Sequence, residues 1–137
     1  MSASSLRVAA ILLIAVPTVE IGGFALLRMI RSKDPGYLDN EVRRHLFRAG
    51  HAHAGVWIIL ALVALLYVDQ AGLSEGMAAA VRWAFAAGPI LAPLGFFLSI
   101  VNPRSDTPNG LINLVYLGAA SVAFGAVALG VGLLTVG

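Results

Sequence analysis

The sequence predicts an all-α integral membrane protein, a bundle of four transmembrane helices with both chain ends outside. Three observations lead there. Of the 137 residues, 59% are hydrophobic and only 12% charged, about half the charge of an ordinary soluble domain. The mean hydropathy is +0.89, which makes lipid the expected solvent. The apolar residues also fall into four blocks, at about 6–29, 49–68, 77–101 and 111–136, each near the roughly 20 residues a helix needs to cross hydrocarbon. Four crossings take up nearly the whole chain, so residues 1–137 are expected to form one domain, with any function inside the bundle or its short loops.

The first block follows Arg7 and has the start of a secretory leader. It runs on past Pro17 to Met29 with no small-residue cleavage pattern, and is therefore read as a retained span. A backbone in hydrocarbon must satisfy its polar groups internally. None of the blocks shows the alternation of a barrel strand, so each is a helix. Asp34, Pro35 and Gly36 form a turn after the first span, and Asp39 or Asn40 caps a second helix that begins before it reaches the membrane. Gly72 and Ser74 mark the next reversal. Asn102 and Pro103 end the third span, while Thr107 as cap and Pro108 at the first helical position open the fourth.

Orientation follows from the Lys and Arg residues close to the spans. Arg28, Arg31, Lys33, Arg43, Arg44 and Arg48 flank the first loop, which is therefore expected in the cytoplasm of a multi-pass cell-membrane protein. Arg82, inside the third span, is expected to snorkel to the opposite surface beside Tyr67 and Trp83. Residues 41–48 interleave Val42, Leu46 and Phe47 with Arg43, Arg44, His45 and Arg48. This pattern suits a helical turn at the anionic leaflet, with Arg43, Arg44 and Arg48 on lipid headgroups. The net charge of +2 thus reflects topology, not nucleic acid. With no cysteine, the chain has no disulfides and no thiolate chemistry.

In lipid, helices associate through close backbone approach rather than apolar burial. Ala80, Ala84, Gly88 and Ala92 recur every four residues in the third helix, and Gly118, Ser121, Gly125, Ala128 and Gly132 form a second row in the fourth. One row is free to serve the bundle and the other a homo-oligomer. Pro89 and Pro93 interrupt the first row and should bend that helix.

Polar residues within the spans carry the functional signal, because they are costly there. An ionised acid at the bilayer centre costs about 2.5 to 3.5 kcal/mol on insertion scales, so Glu20 needs a proton or a partner, and Gly23 on the same face lets a helix approach it. His51 and His53 lie just inside the second span. Two residues apart is about 200° of helical rotation, so in regular helix one metal cannot take both rings. His51 shares a stripe with Arg44, Arg48 and Gly55, whereas His53 lies beneath Trp57. Glu20 is eight residues before Arg28 and His53 five after Arg48, matching them in depth. Ser99, Asn102, Asn109 and Asn113 fall in the same half, so the polar groups are expected to converge there.

The expected function is a small, oligomeric, proton- or ion-coupled transport or conduction unit. Glu20 is its acid, His51 or His53 the partner, and Ser99, Asn102 and Asn113 further ligand candidates. The alternatives are an accessory subunit of a larger membrane complex that binds metal or haem through His51 and His53, and a purely structural subunit. The cofactor, if any, is left open. The chain carries no phosphate-binding glycine loop, nucleophile elbow, paired-histidine zinc motif or dinucleotide fingerprint, so an enzyme is the less expected class.

Overall fold

The computed structural model describes residues 1–136 and is all-helical, with four helices long and apolar enough to cross a membrane. Helix α1 (Ala3–Arg31) starts where the Ser2 hydroxyl accepts from the Ser5 amide, and it runs unbroken through Pro17. Its 29 residues extend about 44 Å at about 1.5 Å each, more than the hydrocarbon thickness, which leaves room for tilt. Lys33, at φ 52°, turns the chain out of α1. What reads as a turn at Asp34–Gly36 is a short helix, α2 (Pro35–Leu38), capped by Asp34 and opened by Pro35 in its first turn.

Asn40 caps α3 (Glu41–Val68) by accepting from the Arg43 amide at 2.9 Å. The basic segment 41–48 is therefore the opening of the second long helix itself. Ser74 caps α4 (Glu75–Leu98), which continues through both prolines. The fourth long helix does not open at Thr107 and Pro108. The Asn109 side chain accepts from Leu111 instead and caps a single 3-10 turn, Gly110–Ile112, that leads into α5 (Asn113–Leu134).

The long helices lie side by side in the order α1, α3, α4, α5, and α1 does not touch α5. The array is thus open, and α1 is held chiefly by α3. Leu12, Ile58, Leu65, Val81 and Phe85 form the larger core, and a second cluster of Leu26, Tyr37, Phe47 and Ile100 lies at the end of the basic loop. There α2 buries Tyr37 against Phe47, with ring centroids 6.3 Å apart. Large apolar side chains such as Ile14, Ile21, Phe24, Val127 and Leu134 point outward, as a lipid-facing surface requires.

The two small-residue rows, read as free to serve different neighbours, meet each other. A methyl on Gly118 would lie 2.8 Å from the Ala92 backbone nitrogen, and one on Gly88 would lie 2.2 Å from Val122 Cγ2. Helices α4 and α5 therefore approach backbone to backbone, and Gly88, Ala92, Gly118 and Gly125 are all buried in this one interface. Ala80, at the open end of the first row, stays exposed.

Candidate functional site

The open side of the array, where α1 stands away from α4, forms a cleft of about 420 Å³ floored by α3. Leu12, Val19 and Gly22 of α1 face Pro89, Pro93 and Phe97 of α4 across Ala54 and Ile58. Two prolines in one wall have a backbone consequence: the carbonyls of Phe85 and Pro89 lose their usual helical donors. The lining is otherwise apolar apart from Thr18 and His51, and the Thr18 hydroxyl donates to the Ala15 carbonyl at 2.6 Å.

His51 occupies the seam between α1 and α3. A methyl built on Gly23 would lie 3.0 Å from ring Cε1, and one on Gly22 3.7 Å from Nδ1, so the paired glycines make the space the ring fills. His51 lines both the apolar cleft and a cavity shared with Glu20, Gly23, Phe24 and Leu27. Glu20 is exposed on α1 and makes no ion pair or hydrogen bond among the described residues; its separation from the imidazole nitrogens exceeds 4.0 Å.

The depth match between Glu20 and His53 does not become a contact. His53 turns to α4, where its ring lies 5.2 Å from Phe96; on α3 itself the ring lies 5.1 Å from Trp57 and Nδ1 hydrogen-bonds the Ala49 carbonyl at 2.8 Å. The rotation between the two histidines sends one ring to α1 and the other to α4. Among the described residues no three His, Asp or Glu side chains gather as a metal site.

The other polar candidates do not converge on this place either. Ser99 is buried as the C-cap of α4, its hydroxyl donating to the Phe96 carbonyl at 3.3 Å. Asn102 is exposed and accepts from the Arg104 amide at 3.0 Å. Asn109 donates to the Leu98 carbonyl at 3.2 Å, and Asn113 is exposed at the start of α5. These side chains shape the link between α4 and α5.

The basic stripe divides by task. Arg43 donates to the Gly36 carbonyl at 3.0 Å and lies over the Phe47 ring at 4.6 Å, its Nε buried without an acceptor. It ties α2 to α3. Arg44 gives one nitrogen to the Leu38 carbonyl at 2.6 Å, and Arg48 makes no hydrogen bond among the described residues.

Sequence reading missed a cluster at the opposite end. Arg82 does not snorkel to the surface: it is 9% exposed, its Nη2 donates to Asp69 at 2.7 Å and its Nε to Ser5 at 2.8 Å. Asp69 also accepts from the Ser2 amide and from the Ser2 and Ser5 hydroxyls, so three helix ends are clasped together. Burial by itself would raise the Asp69 pKa; the Ser2 amide, Arg82 and the two hydroxyls outweigh it and hold the carboxyl well below its ordinary value. The available signal was the pairing of an arginine inside the third span with the acid that directly follows the second.

Compared with known protein families, with characterised proteins and with solved structures, the chain matches none.

Proposed function

We propose that the chain is a small multi-pass transport unit of the cell membrane that takes an apolar or amphipathic molecule into the α1–α3–α4 cleft. In this reading His51, lining that cleft, and Glu20, in the adjoining cavity, are the proton- or ion-coupled pair. The observation that carries it is the position of His51, wedged against Gly22 and Gly23 and lining both the cleft and the Glu20 cavity. The apolar lining between this pair and the Arg82 clasp favours an apolar cargo over an ion within a single chain. Clustering of Lys and Arg at the loop end supports a cytoplasmic placement for that end. Because the chain has no cysteine, Ser105→Cys gives a single reporter. It should resist a membrane-impermeant thiol reagent in intact cells, and labelling there would reverse the orientation.

The cleft is tested by extracting small molecules from detergent-purified protein and identifying them by mass spectrometry. One stoichiometric amphiphile is expected, lost in His51→Ala and in Ala15→Phe, which fills the cleft, and kept in His53→Ala. Identical extracts from all four proteins would refute the reading.

A second reading, an oligomeric proton or ion path, is favoured by Glu20 itself: an acid exposed at span depth with no hydrogen-bond or ion-pair partner among the described residues calls for a second copy or a bound cation. It predicts acid flux into liposomes that Glu20→Gln abolishes. A metal or haem site would need ligands from another chain, since His51 and His53 face different helices.

A further inference from the structure

Below His51, toward the basic loop, α1 and α3 part around a groove of about 500 Å³. Its walls are of two kinds. Leu26 and Ile30 of α1 and Tyr37 of α2 are apolar, while Arg44, Arg48 and His51 of α3 line the other side. These three recur on one face of α3, because spacings of four and three residues stay within about 60° of each other. No acidic side chain lines the groove. Arg44 has one nitrogen on the Leu38 carbonyl, and Arg48 has no protein acceptor among the described residues. The site therefore has two guanidinium groups with donors to spare, at the point where α3 passes from its charged opening into its apolar run, beside an apolar wall.

We infer that this groove is a discrete site for the phosphate-bearing headgroup of an anionic phospholipid. Arg44 and Arg48 hold the phosphate oxygens, and Leu26 and Ile30 take the first carbons of an acyl chain. The charge-assisted hydrogen bonds that guanidinium forms with phosphate, together with the missing counter-charge, select an anionic over a zwitterionic lipid. Arg43 is no part of the site, because it does not line the groove: its Nη1 and Nη2 are directed to Gly36 and Val101 and its plane lies on Phe47. Of the three arginines assigned to headgroups from sequence, the structure thus assigns two to one lipid and the third to the fold. The inference stands apart from the cleft reading, although His51 borders both spaces.

The test is native mass spectrometry of the full chain released from detergent with equal amounts of phosphatidylglycerol and phosphatidylcholine. One phosphatidylglycerol per chain should be retained, falling at least tenfold in Arg48→Gln and further in Arg44→Gln/Arg48→Gln. Arg104→Gln, which removes the same charge from an exposed loop, should retain it fully. Equal retention of both lipids, equal loss in Arg104→Gln, or full retention in Arg48→Gln overturns the proposal. So does displacement by millimolar inorganic phosphate, which would make this a site for the free anion. Ala15→Phe separates the two spaces: its lipid retention should be unchanged even where its cleft ligand is lost.

Discussion

The seam between α4 and α5 and the seam between α1 and α3 are both built on glycine, but glycine does different things in them. Gly88, Gly95 and Gly118 let two backbones touch, and nothing larger than hydrogen fits there. Gly22 and Gly23 instead make room for a titratable ring, and beside it α1 stands far enough from α4 to leave a cleft. The first arrangement holds the array together where apolar burial gives no drive. The second leaves a polar group and open space at the same place, the combination expected of a ligand site.

The contrast can be broken from the tight side first. Gly118→Leu places a side chain against the Ala92 backbone and should destabilise the protein by more than about 3 kcal/mol, read as a shift in denaturation in mixed detergent. A variant as stable as the parent would mean that α4 and α5 are not in backbone contact. Next comes the clasp that fixes the far end of α1. Arg82→Met leaves Asp69 without its cation, and because both side chains keep some solvent access, the loss should be about 2–3 kcal/mol.

The same clasp makes stability depend on pH. A carboxyl held below its ordinary pKa stabilises the fold fully above the unfolded value of about 4, and this contribution fades as pH falls from there toward the folded value. Acid should therefore loosen the parent but have a smaller effect on Asp69→Asn; equal acid sensitivity in the two would argue against the clasp. On the loose side, Gly23→Ala requires the His51 ring to give by a few tenths of an ångström. The expected cost is about 1 kcal/mol, with a clear change in the cleft ligand extracted. The smallest effect belongs to Gly130, which has open space around it: Gly130→Ala should stay within about 0.5 kcal/mol of the parent or stabilise it slightly through helix propensity.

Much of the local structure was legible because it depends on neighbours in the chain. Asn40, one of the two residues read as a cap, does cap α3, Ser74 falls at the reversal where it was read and also caps α4, and the split of His51 and His53 to different faces follows from the helical turn alone. The link from α4 to α5 was misread. Thr107–Pro108 carries a valid start signal, but Asn109 offers a cap to a 3-10 turn two residues on and also reaches back to the Leu98 carbonyl, a bond visible only once the two helices are placed. Arg82 was misread for a related reason. Snorkelling is the usual outcome for an in-span arginine with no partner, and Asp69 and Ser5 become partners only when α1, α3 and α4 are brought together.

By itself, then, the sequence determined the number of long helices, their apolar character and the stripe on which each polar residue lies, since all of these are set within a few residues along the chain. The tertiary structure alone decided which helix each stripe meets: that the two small-residue rows face each other, that His51 and not His53 comes to α1 near Glu20, and that Arg43 folds back while Arg48 makes no hydrogen bond among the described residues. In lipid, apolar residues lie on every face of a helix. The pattern that marks the inward face of a soluble helix is therefore weak, and the neighbour at each face is fixed by backbone fit between helices distant in sequence.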